Sequence, residues 1–398
     1  MDKRKKRIAF VLCAGADNAG GNTIANQVEK VKCDQFDFEI FCNVKNEYSF
    51  GCNEKENRTK NFVMFSEYKE LFTLLQNNFD AVFIITQPRR FVKGYVKMLQ
   101  LLKCKKILLA VDRSLRTVKK TIGEYSQYMN LFDCILTFGD ESTTVHRYLK
   151  SLNENVFDFD FNFFDWSEIR SKSKKQKKKI VVYAGRYANF KGYNKLIEHR
   201  HEVLKNLKGL KVCIAGGSYV YSKERGLSST IGILCTICED SKSKKLKDHI
   251  VINGDYKSFY DDETENIHLF PFFANSDIND IFFNSLFCIM PTKYESKNRN
   301  SGMFRLAIEY TWLEAINNGT PIICTEEYGN ECEVNGKKLI DCDCGLIFIS
   351  SFSELREKIK SYLKDYDENV KKMQKFFKEN YSNDFRIKAI EELLEKLK

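Results

Sequence analysis

Short apolar runs alternate with helical patterns along the first half of the chain. Each run is four to seven residues long and rich in β-branched or aromatic side chains, which is typical of parallel strands buried on both faces. The predicted strands are 8–14, 38–41, 81–86, 106–111 and 134–138, and the predicted helices between them include 92–102 and 117–129. Because strands that alternate with helices form βαβ units, this half predicts a doubly wound parallel sheet.

A break and a second alternation follow. Residues 157–165 are acidic and aromatic without a clear period, and 171–179 read SKSKKQKKK, a charged stretch that we expect to stay out of any core. The pattern then restarts with predicted strands at 180–183, 211–215, 249–252, 286–290 and 321–324, and with helices at 195–207, 304–317 and 352–363. At the end of the chain, Asn383 or Asp384 can cap a helix whose apolar stripe reaches Leu397.

These patterns predict an α/β protein with two Rossmann-like, doubly wound domains that face a central cleft. A length of 398 residues suits two such domains. We expect an N-terminal domain over 1–165, a basic linker over 166–179, a C-terminal domain over 180–382, and a last helix over 383–398 that crosses back to the first domain. No apolar run approaches the roughly 18 residues of a spanning helix, so we expect no integral membrane protein.

The net charge of +10 is unevenly distributed along the chain. Residues 1–200 carry 36 Lys and Arg against 23 Asp and Glu, whereas residues 201–398 carry 28 against 31. A basic half beside a nearly neutral half favours a polyanionic partner on one face, with nucleic acid as the first candidate. A solvated lysine surface would give the same count, so charge alone does not decide between the two.

The 14 cysteines favour unpaired structural thiols over a metal site. Several lie inside apolar runs, where a thiol behaves as a small apolar group, and this usage fits a reducing compartment. A zinc site would need the pair Cys235 and Cys238 to meet the pair Cys342 and Cys344, about a hundred residues away in the chain. We therefore predict no metal site.

Two glycine-containing turns are candidate phosphate sites, since each joins a strand end to a helix start. The first contains Gly20 and Gly21, and a plain strand-to-helix turn explains it equally well. The second runs from Gly185 to Gly192 and adds two cations, Arg186 and Lys191, beside a helix N-terminus. This arrangement suits a diphosphate, the alternative being two surface cations in a loop.

A third candidate is the segment 309–321, in which a helix, a glycine stop and a strand follow one another. Glu309 and Glu314 are five residues apart, so they do not share one helix face, and we expect at most one of them to point at the cleft. A carboxylate at such a position can accept both hydroxyls of a ribose.

The glycine, cation and glutamate motifs together resemble the C-terminal half of retaining sugar-nucleotide transferases of the two-Rossmann (GT-B) type. The resemblance implies that Arg186 and Lys191 hold the donor diphosphate and that Glu314 holds the ribose. In the commoner form of that family another glutamate lies eight residues earlier, where this chain has Leu306.

The string Glu309-Tyr310-Thr311-x-Leu313-Glu314 resembles the DNA α-glucosyltransferases of T-even bacteriophages, which also lack the earlier glutamate. That resemblance extends weakly over nearly the whole chain. It implies transfer of glucose from UDP-glucose, without an essential metal, to 5-hydroxymethylcytosine in double-stranded DNA, whose base must leave the stack. It further implies a monomer in the cytoplasm of an infected host cell, with no membrane partner.

The same resemblance gives Asp112 as the first catalytic candidate, close to the acceptor hydroxyl. Its alternative role is to cap the helix that begins near Ser114. Four cations follow Asp112 directly and are candidates for contacts to DNA phosphates or, alternatively, for a solvated helix face; they are Arg113, Arg116, Lys119 and Lys120.

The sequence is also compatible with two other functions. A GT-B transferase could act on a lipid-linked or cell-surface glycan, in which case the Lys-rich segment 172–179 would touch a bilayer, although it lacks apolar partners. A non-catalytic module that binds nucleotide or nucleic acid is the third hypothesis, and the presence of Arg186, Lys191 and Glu314 argues against it.

Overall fold

The protein is described by a computed structural model. The structure describes residues 4–12, 28–29, 31–43, 62–76, 78–86, 93–110, 115–159, 163–185, 191–215, 250–252, 266–270, 275–292 and 308–397. Within these ranges the chain forms two seven-stranded sheets and a two-stranded one. The described strand pairs of both large sheets are parallel, which confirms the two doubly wound domains expected from the apolar runs.

The first sheet has the strand order β3-β2-β1-β4-β5-β6-β7. Its strands are β1 Lys6–Leu12, β2 Phe36–Asn43, β3 Phe62–Phe65, β4 Ala81–Thr86, β5 Lys105–Ala110, β6 Cys134–Thr137 and β7 Val156–Asp158. The helices described between them are α1 Tyr68–Leu75, α2 Lys93–Leu101, α3 Leu115–Ile122 and α4 Thr144–Lys150. The sheet is covered on both faces, which explains why its strands read as continuous apolar runs.

The second sheet has the strand order β10-β11-β9-β8-β12-β13-β16. Its strands are β8 Lys178–Ala184, β9 Lys211–Ala215, β10 Ile250–Ile252, β11 Ile267–Phe270, β12 Ser285–Met290, β13 Ile322–Thr325 and β16 Ile347–Ile349, and β14 Glu333–Val334 pairs with β15 Lys337–Lys338 in a small hairpin. The helices of this half are α5 Tyr193–Glu198, α6 Arg200–Asn206, α7 Asn275–Asn284, α8 Tyr310–Asn317, α9 Glu326–Glu331, α10 Leu355–Tyr362, α11 Tyr366–Asn380 and α12 Asn383–Lys396.

The last helix, α12, packs against the first sheet although it ends the chain. Ile387 and Ile390 are buried in one cluster with Phe10 of β1 and Phe83 of β4. Two segments of the chain connect the two sheets, and they are hydrogen-bonded to each other. Asn383 Oδ1 accepts a hydrogen bond from the backbone amide of Phe164 at 3.0 Å. The indole of Trp166 likewise donates to the carbonyl of Tyr381 at 3.0 Å.

The structure corrects the expectation that residues 171–179 stay out of any core. Lys177 is buried, and Lys178 and Lys179 already belong to β8. The Lys177 ammonium donates to the carbonyls of Phe282 and Asn318, at the ends of α7 and α8. A lysine can be buried here because these helix ends supply carbonyl oxygens that have no partner within their own helices.

Several predicted element boundaries are also wrong. The helix expected over 117–129 is α-helical only to Ile122 and continues as a 3₁₀ helix from Gly123, whose φ of +22° interrupts α-helical geometry. The helix expected over 195–207 is divided at His199, and the described part of 304–317 becomes helical only at Tyr310. Six short strands in the described part of the chain were not predicted from the pattern; they are β3, β7, β11, β14, β15 and β16.

Candidate functional site

The candidate donor site lies where the second sheet changes winding direction. From β8 the sheet continues through β9 on one side, whereas β12 and β13 lie on the other. The turns after β8 and β12 therefore leave a crevice at the carboxyl ends of these two strands, which is where open α/β sheets bind ligands. Lys191 follows β8, and Thr292 and Glu309 follow β12.

Gly192 holds the end of the turn after β8 against the end of β12. Its φ is +77°, and a Cβ at this position would lie 1.9 Å from the carbonyl oxygen of Pro291. Only a residue without a side chain permits this approach. Gly192 also precedes the first residue of α5, so the same contact sets where α5 begins and where Lys191 stands.

Lys191 forms an ion pair with Glu309 across the crevice. The Lys191 ammonium lies 2.5 Å from Glu309 Oε1, and the side chains are only 20 % and 15 % exposed. The hydroxyl of Thr292 lies 3.5 Å from the same carboxylate oxygen. Glu309 is the residue before α8, yet its side chain makes no capping hydrogen bond to that helix. The Glu309 carboxylate therefore does not occupy the amides of the first turn of α8. Backbone amides at such a helix N-terminus can bind an anion.

Thr325 joins the end of β13 to the end of β12, one of the two strands that form the crevice. Its hydroxyl donates to the carbonyl of Thr292 at 2.8 Å and accepts a hydrogen bond from the amide of Tyr328 at 3.1 Å, which caps α9. Sequence reasoning did not select Thr292 or Thr325. The available signal was their position, because each lies at the carboxyl end of a predicted buried strand.

Tyr310 and Glu314 occupy the first turns of α8, next to the segment that joins the two sheets. The Tyr310 ring contacts Phe164, with a centroid distance of 5.4 Å, and its hydroxyl is buried with no hydrogen-bond partner among the described residues. Burial, and then the carboxylates of Glu314 and Asp165, raise the pKa of this phenol well above its usual value. The phenol of Tyr310 therefore stays protonated, and Glu314 lies close enough to it to affect its pKa.

The two predicted glutamates therefore have different surroundings. Glu309 is paired with Lys191, whereas Glu314 stands close enough to Tyr310 to affect its pKa. The structure brings Lys191 and Glu309 together, which the sequence alone had not suggested. Five further predicted residues lie outside the described residues; they are Gly20, Gly21, Asp112, Arg113 and Arg186.

The remaining predicted cations follow the end of β5. Arg116 and Lys119 are exposed on α3, and the Lys119 ammonium lies 5.3 Å from the centre of the Tyr148 ring on α4. Lys120 belongs to the same helix. Ala110, the last residue of β5, is paired with Thr137 of β6, and Asp112 follows Ala110 by two residues in sequence.

No cluster of three or more His, Cys, Asp or Glu side chains that could hold a metal ion occurs in the described part of the chain. The thiols of Cys342 and Cys344 donate instead to the carbonyls of Lys338 and Leu339. Burial raises the pKa of Cys344 to about 11, which keeps this thiol protonated. Cys235 and Cys238 lie outside the described residues. No described helix is long and apolar enough to cross a membrane.

Comparison with known proteins gives matches at the level of structure only. No protein-family profile and no curated protein sequence matches the chain. An α-glucosyltransferase in complex with UDP superposes with a TM-score of 0.74 at 15 % sequence identity, over 98 % of this chain and 100 % of that one. An α-glucosyltransferase in complex with UDP and a 13-mer DNA containing an HMU base gives 0.77 at 16 % identity, over 98 % and 99 %.

The chain has the GT-B fold. A further GT-B structure, S. aureus TarM in complex with Fondaparinux, α-GlcNAc-glycerol and UDP, superposes less well, with a TM-score of 0.50 at 13 % identity, over 82 % of this chain and 58 % of that one. The difference between these matches lies in their extent, because the α-glucosyltransferases match this GT-B chain from end to end.

Proposed function

We propose that the protein is a retaining glycosyltransferase that transfers a sugar, glucose first among candidates, from a UDP-sugar to a hydroxymethylated base in duplex DNA. The observation that carries this proposal is the end-to-end similarity to α-glucosyltransferase structures whose complexes hold UDP and DNA with an HMU base. The proposed enzyme is a monomer in the cytoplasm, that of the infected host if the gene is from a phage.

Lys191 and Arg186 are the proposed contacts of the donor diphosphate. The Lys191 ammonium already stands at the crevice between β8 and β12, held by Gly192 and Glu309. As the bond between the sugar carbon and the diphosphate oxygen breaks, negative charge grows on the diphosphate, and two cations stabilise that charge without a metal ion. Gly20 and Gly21 would approach the donor from the first domain.

Glu314 and Glu309 are the proposed contacts of the ribose and of the transferred sugar. A carboxylate accepts two hydroxyl hydrogen bonds, which suits the neighbouring ribose hydroxyls. We assign the ribose to Glu314, which follows the family motif, and the sugar side of the crevice to Glu309, whose carboxylate is close to Lys191 and Thr292.

Asp112 is the proposed group at the acceptor. In the transfer, the acceptor hydroxyl oxygen forms the new bond to the sugar carbon while the diphosphate leaves with its electron pair. The hydroxyl proton passes to the Asp112 carboxylate or to the leaving diphosphate. The base must leave the stack to reach the crevice, and Arg113, Arg116, Lys119 and Lys120 would contact phosphates on either side of it.

The test is transfer of labelled glucose from UDP-glucose to duplex DNA containing 5-hydroxymethylcytosine, with an unmodified duplex as control. We expect transfer in the presence of a metal chelator, and a loss of about a hundredfold or more in Lys191→Ala and Asp112→Asn. Lys195→Ala is the matched control, because Lys195 follows in α5 but pairs with Glu198 at 2.8 Å. Absence of transfer to any hydroxymethylated duplex, with several UDP-sugars, would refute the proposal.

A transferase that acts on a lipid-linked or cell-surface glycan is the second candidate, and it is favoured by the similarity to the TarM structure, whose complex holds Fondaparinux, α-GlcNAc-glycerol and UDP. The first candidate is stronger because the TarM match leaves about a fifth of this chain uncovered. Co-sedimentation with anionic liposomes, together with transfer to a glycan and none to DNA, would favour the second.

A further inference from the structure

Three cations converge on one aromatic ring at the edge of the second sheet that is opposite to the donor crevice. The charged groups of Arg170, Lys172 and Lys177 lie 4.7, 4.4 and 5.9 Å from the centre of the Phe283 ring. We name these four residues the Phe283 cluster. Each of these distances is within the range of a cation–π contact.

The cations of the cluster are bound to neutral oxygens. Arg170 donates to the side-chain amide oxygen of Asn318, and Lys172 donates to that of Asn284 at 2.6 Å. The Lys177 ammonium donates to two carbonyls and to the hydroxyl of Thr320 at 3.1 Å. Among the described residues, no carboxylate pairs with any of the three cations. The hydrogen bonds fix the positions of the three cations, and the groups that accept them directly are neutral.

Burial and the two neighbouring cations both affect the pKa of Lys177. Burial, and then the charges of Lys172 and Arg170, lower it to about 7. The side-chain amide of Asn284, whose oxygen accepts the hydrogen bond of Lys172, donates in turn to the carboxylate of Asp280 at 3.1 Å. An anion that approached the exposed side of the cluster would meet the charges of Arg170 and Lys172, both already held in place.

The position of the cluster separates it from the donor crevice. Lys177 immediately precedes β8, whereas Gly185 follows that strand at its other end, and seven residues of strand span roughly 20 Å. The surrounding segment 170–179 contains seven Lys and Arg residues and no Asp or Glu. The segment surrounds the cluster with positive charge that attracts anions at long range, whereas the cluster supplies the cations held in fixed positions.

We propose that the Phe283 cluster is a second contact surface for the phosphate backbone of duplex DNA, separate from the crevice in which transfer would take place. The choice of DNA among polyanions rests on the proposed function; the anion-binding character rests on the cluster itself. Such a surface would hold the enzyme on long DNA without regard to sequence, because backbone contacts carry no base information.

The experiment measures binding of an unmodified duplex of about 40 base pairs by fluorescence anisotropy at several salt concentrations, with UDP saturating the crevice. We expect the double variant Arg170→Gln with Lys172→Gln to bind about tenfold more weakly and to lower the slope of log affinity against log salt by about 2. Phe283→Leu keeps the charges but removes the ring, and we expect a smaller loss in the same direction.

The matched control is Lys175→Gln with Lys179→Gln, which removes the same charge from the same exposed segment without touching Phe283. We expect less than about a twofold change in this control. Equal losses in both double variants would show general surface electrostatics and overturn the proposal, as would unchanged affinity in the cluster variant.

Two measurements distinguish this proposal from the proposed function and from a site for a small anion. Transfer to a short hydroxymethylated duplex should be unchanged in the cluster variant. Absence of transfer in the wild type would contradict the proposed function, whereas the binding measurement tests this surface independently. Duplex binding that persists in the presence of equimolar inorganic phosphate supports a backbone surface. Displacement of the duplex by equimolar phosphate would indicate a site for a small anion and refute the proposal. Thermal unfolding checks that each variant is folded.

Discussion

The Lys191 ammonium lies 2.5 Å from Glu309 Oε1, which joins the turn after β8 to the residue that precedes α8. Both side chains are largely buried, so the pair stabilises the crevice in the absence of a ligand at the expense of desolvating two charges. A bound diphosphate would offer Lys191 a stronger partner, because a diphosphate carries more negative charge and more acceptor oxygens than one carboxylate. We therefore expect a bound diphosphate to replace Glu309 as the partner of Lys191.

Lys191→Met and Glu309→Gln should separate the two roles of this pair. Each variant leaves the other residue without its partner, so we expect both to lower the free energy of unfolding by about 1–3 kcal/mol. Affinity for UDP, measured by calorimetry, should fall by about tenfold or more only in Lys191→Met, because Glu309 does not contact the diphosphate. Equal loss of UDP affinity in Glu309→Gln would show that the carboxylate contacts the nucleotide directly.

Gly192→Ala should be far more harmful than the same substitution at Gly209. Both glycines have a left-handed φ, +77° and +81°, so both pay about 1 kcal/mol for an added side chain. Only Gly192 lies against another chain segment, where the new Cβ would be 1.9 Å from the carbonyl of Pro291, while nothing lies within 4 Å of a Cβ at Gly209. We expect Gly192→Ala to lose about 3 kcal/mol or more of unfolding free energy and to weaken UDP binding.

Urea denaturation of both glycine variants checks this expectation. The difference between them isolates the contact with Pro291 from the cost of the backbone conformation. If both variants lose the same free energy, the approach of the two strand ends does not depend on the missing side chain, and Gly192 serves only the turn.

The parts of the fold that were predicted from the sequence are those in which local pattern and burial agree. The strand β12 reads as apolar at nearly every position because both of its faces are covered, and a run of only six residues favours a strand over a buried helix. Lys177 shows where this reasoning stops. Its burial depends on the carbonyl of Asn318, 141 residues away in the chain, and nothing in the surrounding SKSKKQKKK pattern reveals that partner.

The candidate site divides in the same way. The residue types around Lys191 and Glu309 were visible because strand ends and glycines mark the crevice, but the pairing of the two charges was not. It arises from the approach of Gly192 to Pro291, a contact between segments that are far apart in sequence. Sequence pattern therefore finds which strand ends carry chemistry, and the three-dimensional contacts decide which of the side chains meet.

Ile390→Ala should weaken the first sheet although residue 390 belongs to the last helix. Ile390 is fully buried with Phe10 and Phe83, so the cavity should cost about 2–5 kcal/mol. We expect hydrogen exchange to lose protection first in β1 and β4. Lys388→Ala, an exposed position in α12, should change the unfolding free energy by less than about 0.5 kcal/mol. Loss of protection confined to the second sheet would contradict the assignment of α12 to the first.

Lys177→Met should change how stability depends on pH. Because burial and the neighbouring cations lower the pKa of Lys177 to about 7, the folded protein carries one proton fewer than the unfolded chain between that value and the usual lysine value of 10.5. Stability that depends on this group is therefore lowest at and below about pH 7 and rises with pH, by at most about 1.4 kcal/mol per pH unit. In Lys177→Met this contribution is absent.

The measurement is urea denaturation of the wild type and Lys177→Met at intervals from about pH 7 to about pH 8.5, with Lys179→Met as an exposed control. The difference in unfolding free energy between wild type and Lys177→Met should shift in favour of the wild type as the pH rises, whereas the difference for Lys179→Met should stay constant. The comparison cancels the buried thiols, such as Cys134 with a pKa raised by burial to about 12, because every variant keeps them. A constant difference for both variants would mean that Lys177 stays charged in its site. In that case the carbonyls of Phe282 and Asn318 stabilise the ammonium more than burial and its two cationic neighbours oppose it.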